Sequence, residues 1–273
     1  AFVETLHATS LQKDFNVDFK NFDKILFLNF YNDVRDNQQD EGDLYSLIVQ
    51  FKKKINALDP ENYSRELHSI MNSLREIKTE AELKLLRKAI KISAIGQIEV
   101  MKAMHANMSE TEIQGIHEFV YKKYGAEYEG YPSIVGSGNN GCVLHYITNN
   151  KTNVGNNLVL MDLGAEYRGY TADVTRTIPA NGKFSEEQKQ IYKIVYQAQE
   201  EAFKSCKKGN PFNAPHRTAK KIISEGLIAL GIIQSDNEVS RYFPHGTSHY
   251  LGLDVHDRGN HGTLEPGMVI TVE

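Results

Sequence analysis

Two cysteines in 273 residues, Cys142 and Cys206, leave no disulfide framework to hold the chain together. Lacking a pairing pattern or a Cys-x-x-Cys motif, they suit a reducing, cytoplasmic setting. A basic excess is also missing. The 31 Lys and Arg against 35 Asp and Glu give a net charge of -4, which excludes the footprint of a general nucleic-acid binder. No apolar run approaches the roughly 18–20 residues that cross a bilayer, so no membrane partner is expected. The opening Ala1-Phe2-Val3-Glu4 has neither an initiator Met nor a signal-peptide pattern, so the chain is expected to begin inside a longer reading frame. What is present is ordinary for a globular protein: 40% hydrophobic and 24% charged residues. The length allows one large domain, or one with a smaller piece.

Residues 1–75 read differently from the rest. The apolar run 23–30 fits a buried strand, 43–51 has helical spacing, and the polar stretch 59–63 reads as a linker. No catalytic constellation falls in this part. From Thr79 the signals sharpen. Thr79-x-x-Glu82 is a capping box, in which hydroxyl and carboxylate satisfy orphan backbone donors at a helix start; the apolar spacing extends that helix to about 106. Ser109-x-x-Glu112 opens a second helix ending near Gly125, Ser185-x-x-Gln188 a third reaching toward Gly209, and a fourth runs from about Ala214 to Gly231. Strands are expected at 133–136, 142–146, 158–163, 171–178 and 268–273. Two helices then strands, twice over, suggest an α+β domain built by internal structural duplication.

Two segments carry chemistry. Leu158–Leu163 and the strand at 171–178 make a hairpin, and a turn centred between Tyr167 and Arg168 puts Asp162 directly opposite Asp173, with Cβ atoms about 4.5–5.5 Å apart. Two carboxylates sharing an apolar sheet repel, so a shared proton, a cation such as Arg176 or a metal must compensate; a sheet Asp beside a splayed turn Asp is the bland alternative. Downstream, His245-Gly-Thr-Ser-His249-Tyr-Leu-Gly-Leu-Asp-Val-His256-Asp257 packs three of the ten histidines into a short stretch. Its glycines argue for strand and loop rather than helix, and allow close backbone approach. Glu273 follows an apolar run and projects from a strand end. Glu265, in a Glu-Pro-Gly turn, reads as solvated. His145 is a polar group in the apolar stretch 142–146, as readily a core histidine as a site residue.

Taken together, Asp162, Asp173, His249 and Glu273 resemble the ordered ligand set of the pita-bread metallopeptidases, a family that includes methionine aminopeptidase, prolidase and Xaa-Pro aminopeptidase. The resemblance covers about 77–273 through MDLGAEYRGYTADVTRT, HGTSHYLGLDVHD and LEPGMVITVE, and the histidine segment is most similar to the Xaa-Pro aminopeptidase form. It implies a pita-bread domain over 76–273, with 1–75 as the C-terminal part of a creatinase-like N-terminal domain. It implies two divalent ions, Mn²⁺ first and Co²⁺, Zn²⁺ or Fe²⁺ as options. Asp173 would bridge them, Asp162 would hold one, and His249 with Glu273 the other. The family's fifth ligand, a second bridging Glu, lies on a strand beyond residue 273, so the resemblance implies a C-terminally cut domain that binds metal weakly.

The implied activity is release of the N-terminal residue from peptides with proline second, by attack of a metal-bridging hydroxide. Glu273 would handle the water's proton while ligating. His256 would contact the scissile carbonyl, and His245 and His145 would line the proline side and assist proton transfer. The implied partners are such peptides and further copies of the chain, in a homo-oligomer. A prolidase, or a pita-bread domain without activity, are the competing expectations.

Overall fold

The structure, a computed structural model, describes residues 67–273 and, before them, the short parallel strands β1 (Ile25–Leu26) and β2 (Tyr63–Ser64). The helix expected at 43–51, and all but these residues of the strand and linker expected at 23–30 and 59–63, lie outside the described residues. The chain divides into two compact units, Ala1–Met71 and Asn72–Glu273. Helix α1 (Leu67–Glu76) runs across that division.

In the second unit the capping signals decide where helices begin. Helix α2 (Glu80–Ala103) starts on the full box, with the Thr79 side chain accepting from the Glu82 N–H and the Glu82 carboxylate from the Thr79 N–H. Helix α3 (Glu110–Lys123) makes only half of one: Ser109 accepts from the Glu112 N–H. It stops at Gly125, whose φ of +85° only glycine adopts freely, and the Ala126 N–H reaches back to the Tyr121 carbonyl. Helix α4 (Glu186–Ser205) opens on the Ser185–Gln188 box, and α5 (Ala214–Ala229) carries Pro215 in its first turn.

Between the helix pairs lie two three-stranded antiparallel sheets. One has the order β3 (Tyr128–Glu129), β6 (Ala165–Tyr167), β7 (Tyr170–Thr171); the other has β4 (Ile134–Ser137), β5 (Leu158–Leu163), β8 (Val174–Pro179). On β5 the residues Val159, Met161 and Leu163 are fully buried with Ile92, Val100, Ile113 and Tyr121 of α2 and α3. Each such burial contributes about 1.5–3 kcal/mol. Because strand side chains alternate, Asp162 falls on the opposite face, away from the helices. Gln97 of α2 ties the sheet down by donating to the Met161 and Val174 carbonyls. The α4–α5 pair has a smaller core of Ala198, Ala202 and Ala219, capped by Phe243 and Val272. The α+β expectation, helices then strands repeated, is met.

Three expected strands differ. Residues 142–146 are not a strand: Gly138–Cys142 is a 3₁₀ turn, Val143 and Leu144 are 56% and 60% exposed, and His145 has φ +54°. The cause is Glu110, fully buried at the start of α3. Its carboxylate takes the Ser137 N–H, the Asn140 amide, the Tyr146 hydroxyl and the Lys151 N–H, which folds the segment over the helix end. The strand expected at 171–178 is broken at Ala172 and Asp173, where the hairpin passes from one sheet to the other. The segment 268–273 makes only isolated pairings, because the Thr271 hydroxyl accepts the His249 N–H that a regular ladder would give to the Thr271 carbonyl.

At the break, Gly164 is crowded. A Cβ there would lie 1.8 Å from the Ala172 carbonyl oxygen and 2.8 Å from the Tyr131 ring. Both obstacles are rigid, so Gly164→Ala is expected to cost at least about 2 kcal/mol of unfolding free energy. A denaturant melt reads this, and an unchanged midpoint contradicts the crowding.

Candidate metal centre

The hairpin sets the first two carboxylates. Its turn is Arg168-Gly169, both with positive φ, +55° and +80°, the two-residue geometry that matches strand twist. This centre lies one residue beyond the expected one, so Asp162 faces Thr175 rather than Asp173. The slip in pairing is two residues, an even number, which keeps both aspartates on one face. The structure brings them together through Tyr131, whose hydroxyl donates to Asp162 Oδ1 at 2.5 Å and to Asp173 Oδ1 at 3.1 Å. Arg176, considered as the compensating cation, is exposed and turned onto the Thr175 carbonyl.

The other side comes from 247–273. The Thr271 N–H bonds the His249 carbonyl at 3.0 Å and the Glu273 N–H bonds the Thr247 carbonyl at 2.9 Å, so His249 and Glu273 sit on neighbouring extended segments. His249 Nε2 lies 2.8 Å from Glu273 Oε1 and 3.2 Å from Asp173 Oδ2. His249 Nδ1 faces the Tyr250 carbonyl at 2.9 Å, which orients the ring with Nε2 toward the carboxylates. Asp173, His249 and Glu273 each offer one ligand atom, all within 4.8 Å of one another.

The electrostatics show what this pocket wants. Burial, then the Asp173 charge, push the Asp162 carboxyl up to about 6. Burial works against a charged His249, but the hydrogen bonds to Asp173 and Glu273 outweigh it and raise the imidazole to about 10. Burial, then both aspartates, hold the Tyr131 phenol well above its ordinary value, so it donates and does not ionise. Three carboxylates around one protonated imidazole form a site short of positive charge, and oxygen-rich ligands with one imidazole suit hard or borderline divalent cations. The residues fit a metal.

A cation must displace the His249 proton, because only neutral imidazole ligates. Adding Mn²⁺ to weakly buffered protein at pH 7 is therefore expected to release about one proton per site; a metal titration without acidification contradicts the assignment. The sign for stability is the reverse of a carboxylate's. With its folded pKa raised, His249 contributes stability fully below the ordinary imidazole value, and loses it as pH rises through about 10.

The remaining histidines divide. His256 stacks edge-on against His249, ring centroids 4.5 Å apart, and His145 lies 6.4 Å from His256. Partial burial, then the His249 charge, push His256 below the usual imidazole range, leaving it neutral. His245 meets the Phe243 ring edge-on at 5.1 Å, and its Nδ1 faces the Gly246 carbonyl; Phe243 in turn stacks on His216. Glu265 is exposed beside Lys208, a solvated turn residue as expected. Tyr131 and Thr271 were missed. Nothing in Glu-Gly-Tyr-Pro marks a tyrosine between two carboxylates, and Thr271 reads as one more β-branched strand residue.

A sequence profile of metallopeptidase family M24 matches residues 84–273. The Xaa-Pro aminopeptidase of Escherichia coli (strain K12) is 39% identical over 216 residues, 75% of this chain and 49% of that protein. An Xaa-Pro aminopeptidase 3 of Dictyostelium discoideum is 36% identical over 250 residues, covering 84% and 48%. The chain thus spans about half the length of the curated relatives it matches. Among solved structures, aminopeptidase P from E. coli with the inhibitor Pro-Leu superposes with a TM-score of 0.74 at 35% identity, covering 86% of this chain and 57% of that one.

Proposed function

The chain belongs to metallopeptidase family M24, and from that premise we propose that it carries the active site of an Xaa-Pro aminopeptidase, releasing the first residue of peptides with proline second. The observation that carries this reading is the convergence of Asp173, His249 and Glu273 beside the Asp162–Tyr131 pair. Asp173 has one oxygen toward His249 and the other toward Tyr131, so it would be shared by two divalent ions, with Asp162 helping to hold one and His249 with Glu273 the other. Manganese fits the oxygen-rich set best, with Co²⁺, Zn²⁺ and Fe²⁺ as alternatives. Bound cations supply the positive charge that lowers a water's pKa toward roughly 7 and polarises a carbonyl.

The chain's own residues do the rest. Glu273, about a third exposed, is placed to take a proton from an attacking water and pass it on. His256, held neutral against His249, donates to the oxygen that gains charge as the carbonyl is attacked. His145, on its exposed positive-φ turn, stands beside His256 on the side open to the peptide, and His245 lines the proline side. A tertiary X-Pro amide has no N–H, so recognition must come from ring shape and from the amine end of the substrate.

The unit Ala1–Met71 we read as the last part of a creatinase-like N-terminal domain, supported by the Dictyostelium relative's match extending over 84% of the chain. The two unpaired cysteines favour a cytoplasmic protein. The test is an assay on X-Pro-Y tripeptides and X-Pro dipeptides with added Mn²⁺. Release of X from the tripeptide supports the proposal. Cleavage of dipeptides alone makes the protein a prolidase, and metal binding without turnover makes it a binding domain.

A further inference from the structure

Asp257 stands next to His256 and takes no part in the ligand set, yet it is among the most enclosed charges in the unit Asn72–Glu273. Its side chain is 1% exposed, as is that of Lys78, whose Nζ lies 3.0 Å from Asp257 Oδ2 and also donates to the Arg75 carbonyl. The other oxygen, Oδ1, is in ion-pair contact with Arg75 Nη2, and Arg75 reaches on to Asp254 at 2.8 Å. Two cations from the junction of α1 and α2 thus grip one carboxylate far along the chain, Lys78 from 179 residues away. The backbone repeats the tie, with the Lys78 N–H on the Gly267 carbonyl at 2.8 Å.

Burying a charge this deeply is costly unless its partners are fixed, and well-packed neutral residues in place of a buried ion pair are often as stable or more so. The placement therefore calls for a reason beyond stability. We propose that Asp257, clamped by Lys78 and Arg75, is the positioning residue for His256. Backbone bonds hold the two ends of the loop. The Asp257 N–H bonds the Tyr250 carbonyl at 2.9 Å and the Gly252 carbonyl receives the Thr171 N–H at 2.8 Å. Between those anchors Leu253 and Asp254 are exposed, as is His256 itself. His256 can hold its edge-on place against His249 only if the next residue is fixed, and the clamp fixes it. Gly252 makes room: a Cβ there would meet Asp257 Oδ2 at 2.0 Å and Lys78 Cε at 3.0 Å. The clamp and Thr171, two residues before Asp173, thereby set the histidine loop against the carboxylate hairpin.

The proposal rests on His256 acting in turnover, so the test separates the two. Asp257→Asn keeps shape and removes the charge. It is expected to lower kcat on an X-Pro-Y peptide at least tenfold, with KM and Mn²⁺ content within about twofold of the parent. In a His256→Ala background the same substitution is expected to change kcat by less than about twofold, since the group it positions is gone. Equal losses in both backgrounds would mean a merely structural role and overturn the proposal. Lys78→Met, which leaves Asp257 in place, provides the same comparison should Asp257→Asn fail to fold. A readout free of turnover is the His256 imidazole in ¹⁵N-histidine NMR spectra, expected to shift and broaden in Asp257→Asn. If the parent shows no X-Pro-Y cleavage, the functional reading fails and the NMR comparison still decides the clamp; an unmoved His256 resonance overturns it.

Discussion

Asp173→Ala is expected to abolish both metal binding and X-Pro-Y turnover, with kcat/KM down by at least about 10³-fold, some 4 kcal/mol of transition-state stabilisation. Among the described residues, Asp173 is the carboxylate in contact with both sides of the site, Oδ2 3.2 Å from His249 Nε2 and Oδ1 3.1 Å from the Tyr131 hydroxyl. Its removal leaves Asp162 on one side and His249 with Glu273 on the other, and nothing to join two cations. The lost carboxylate also changes the apo protein. Repulsion from Asp173 helps hold the Asp162 carboxyl up near 6, so the variant's Asp162 titrates lower, closer to an ordinary carboxylic acid. Asp173→Asn separates charge from packing: it keeps the Tyr131 contact and should lose metal almost as fully. Elemental analysis after dialysis, beside steady-state kinetics, checks this; metal content and turnover near the parent's in either variant contradict the bridging role.

His256→Ala is expected to give the second largest effect, of a different kind. A positioned donor to a developing oxyanion is worth about 2.7–4 kcal/mol, or roughly 10²–10³-fold in kcat. Metal content should stay unchanged, because His256 stacks on His249 and lies outside the proposed ligand set. The imidazole's depressed pKa also sets a direction. Burial lowers the His256 pKa and favours the neutral imidazole, so a fall in kcat toward acid pH is the expected sign of its protonation. A kcat loss accompanied by equal loss of metal would move His256 into the ligand set instead. A loss under fivefold would remove it from the chemistry.

How much of this was legible depended on the range of the interaction involved. Capping residues act within one turn, and Thr79 and Ser185 start α2 and α4 where the sequence puts them. Strand β5 was read to the residue, since its alternation between core and site face is a local pattern. The site residues stand out as types: acids in apolar strands carry an electrostatic cost that a shared proton, a basic side chain or a metal must relieve, and the resemblance to the metallopeptidases selects the metal. The failures were non-local. The hairpin centre was misplaced by one residue because Arg168 takes a left-handed conformation that the sequence does not advertise. The stretch 142–146 looks apolar and strand-like, but buried Glu110, more than thirty residues earlier, claims its polar groups and turns Val143 and Leu144 outward. Tyr131 could not be found at all, since its function rests on where Gly130 and Gly164 let the backbone pass. A Cβ on Gly130 would come within 2.0 Å of Thr171 Cγ2. Asp257 was visible as a residue of a conspicuous motif, but its partners Arg75 and Lys78 belong to a distant helix junction that carries no motif.

The most direct test is anomalous diffraction from crystals of the protein soaked in MnCl₂. A manganese peak among Asp173 Oδ2, His249 Nε2 and Glu273 Oε1, with a second ion on the Asp162 side of Asp173, is the predicted result. Manganese bound elsewhere while these four side chains keep their apo contacts would contradict it.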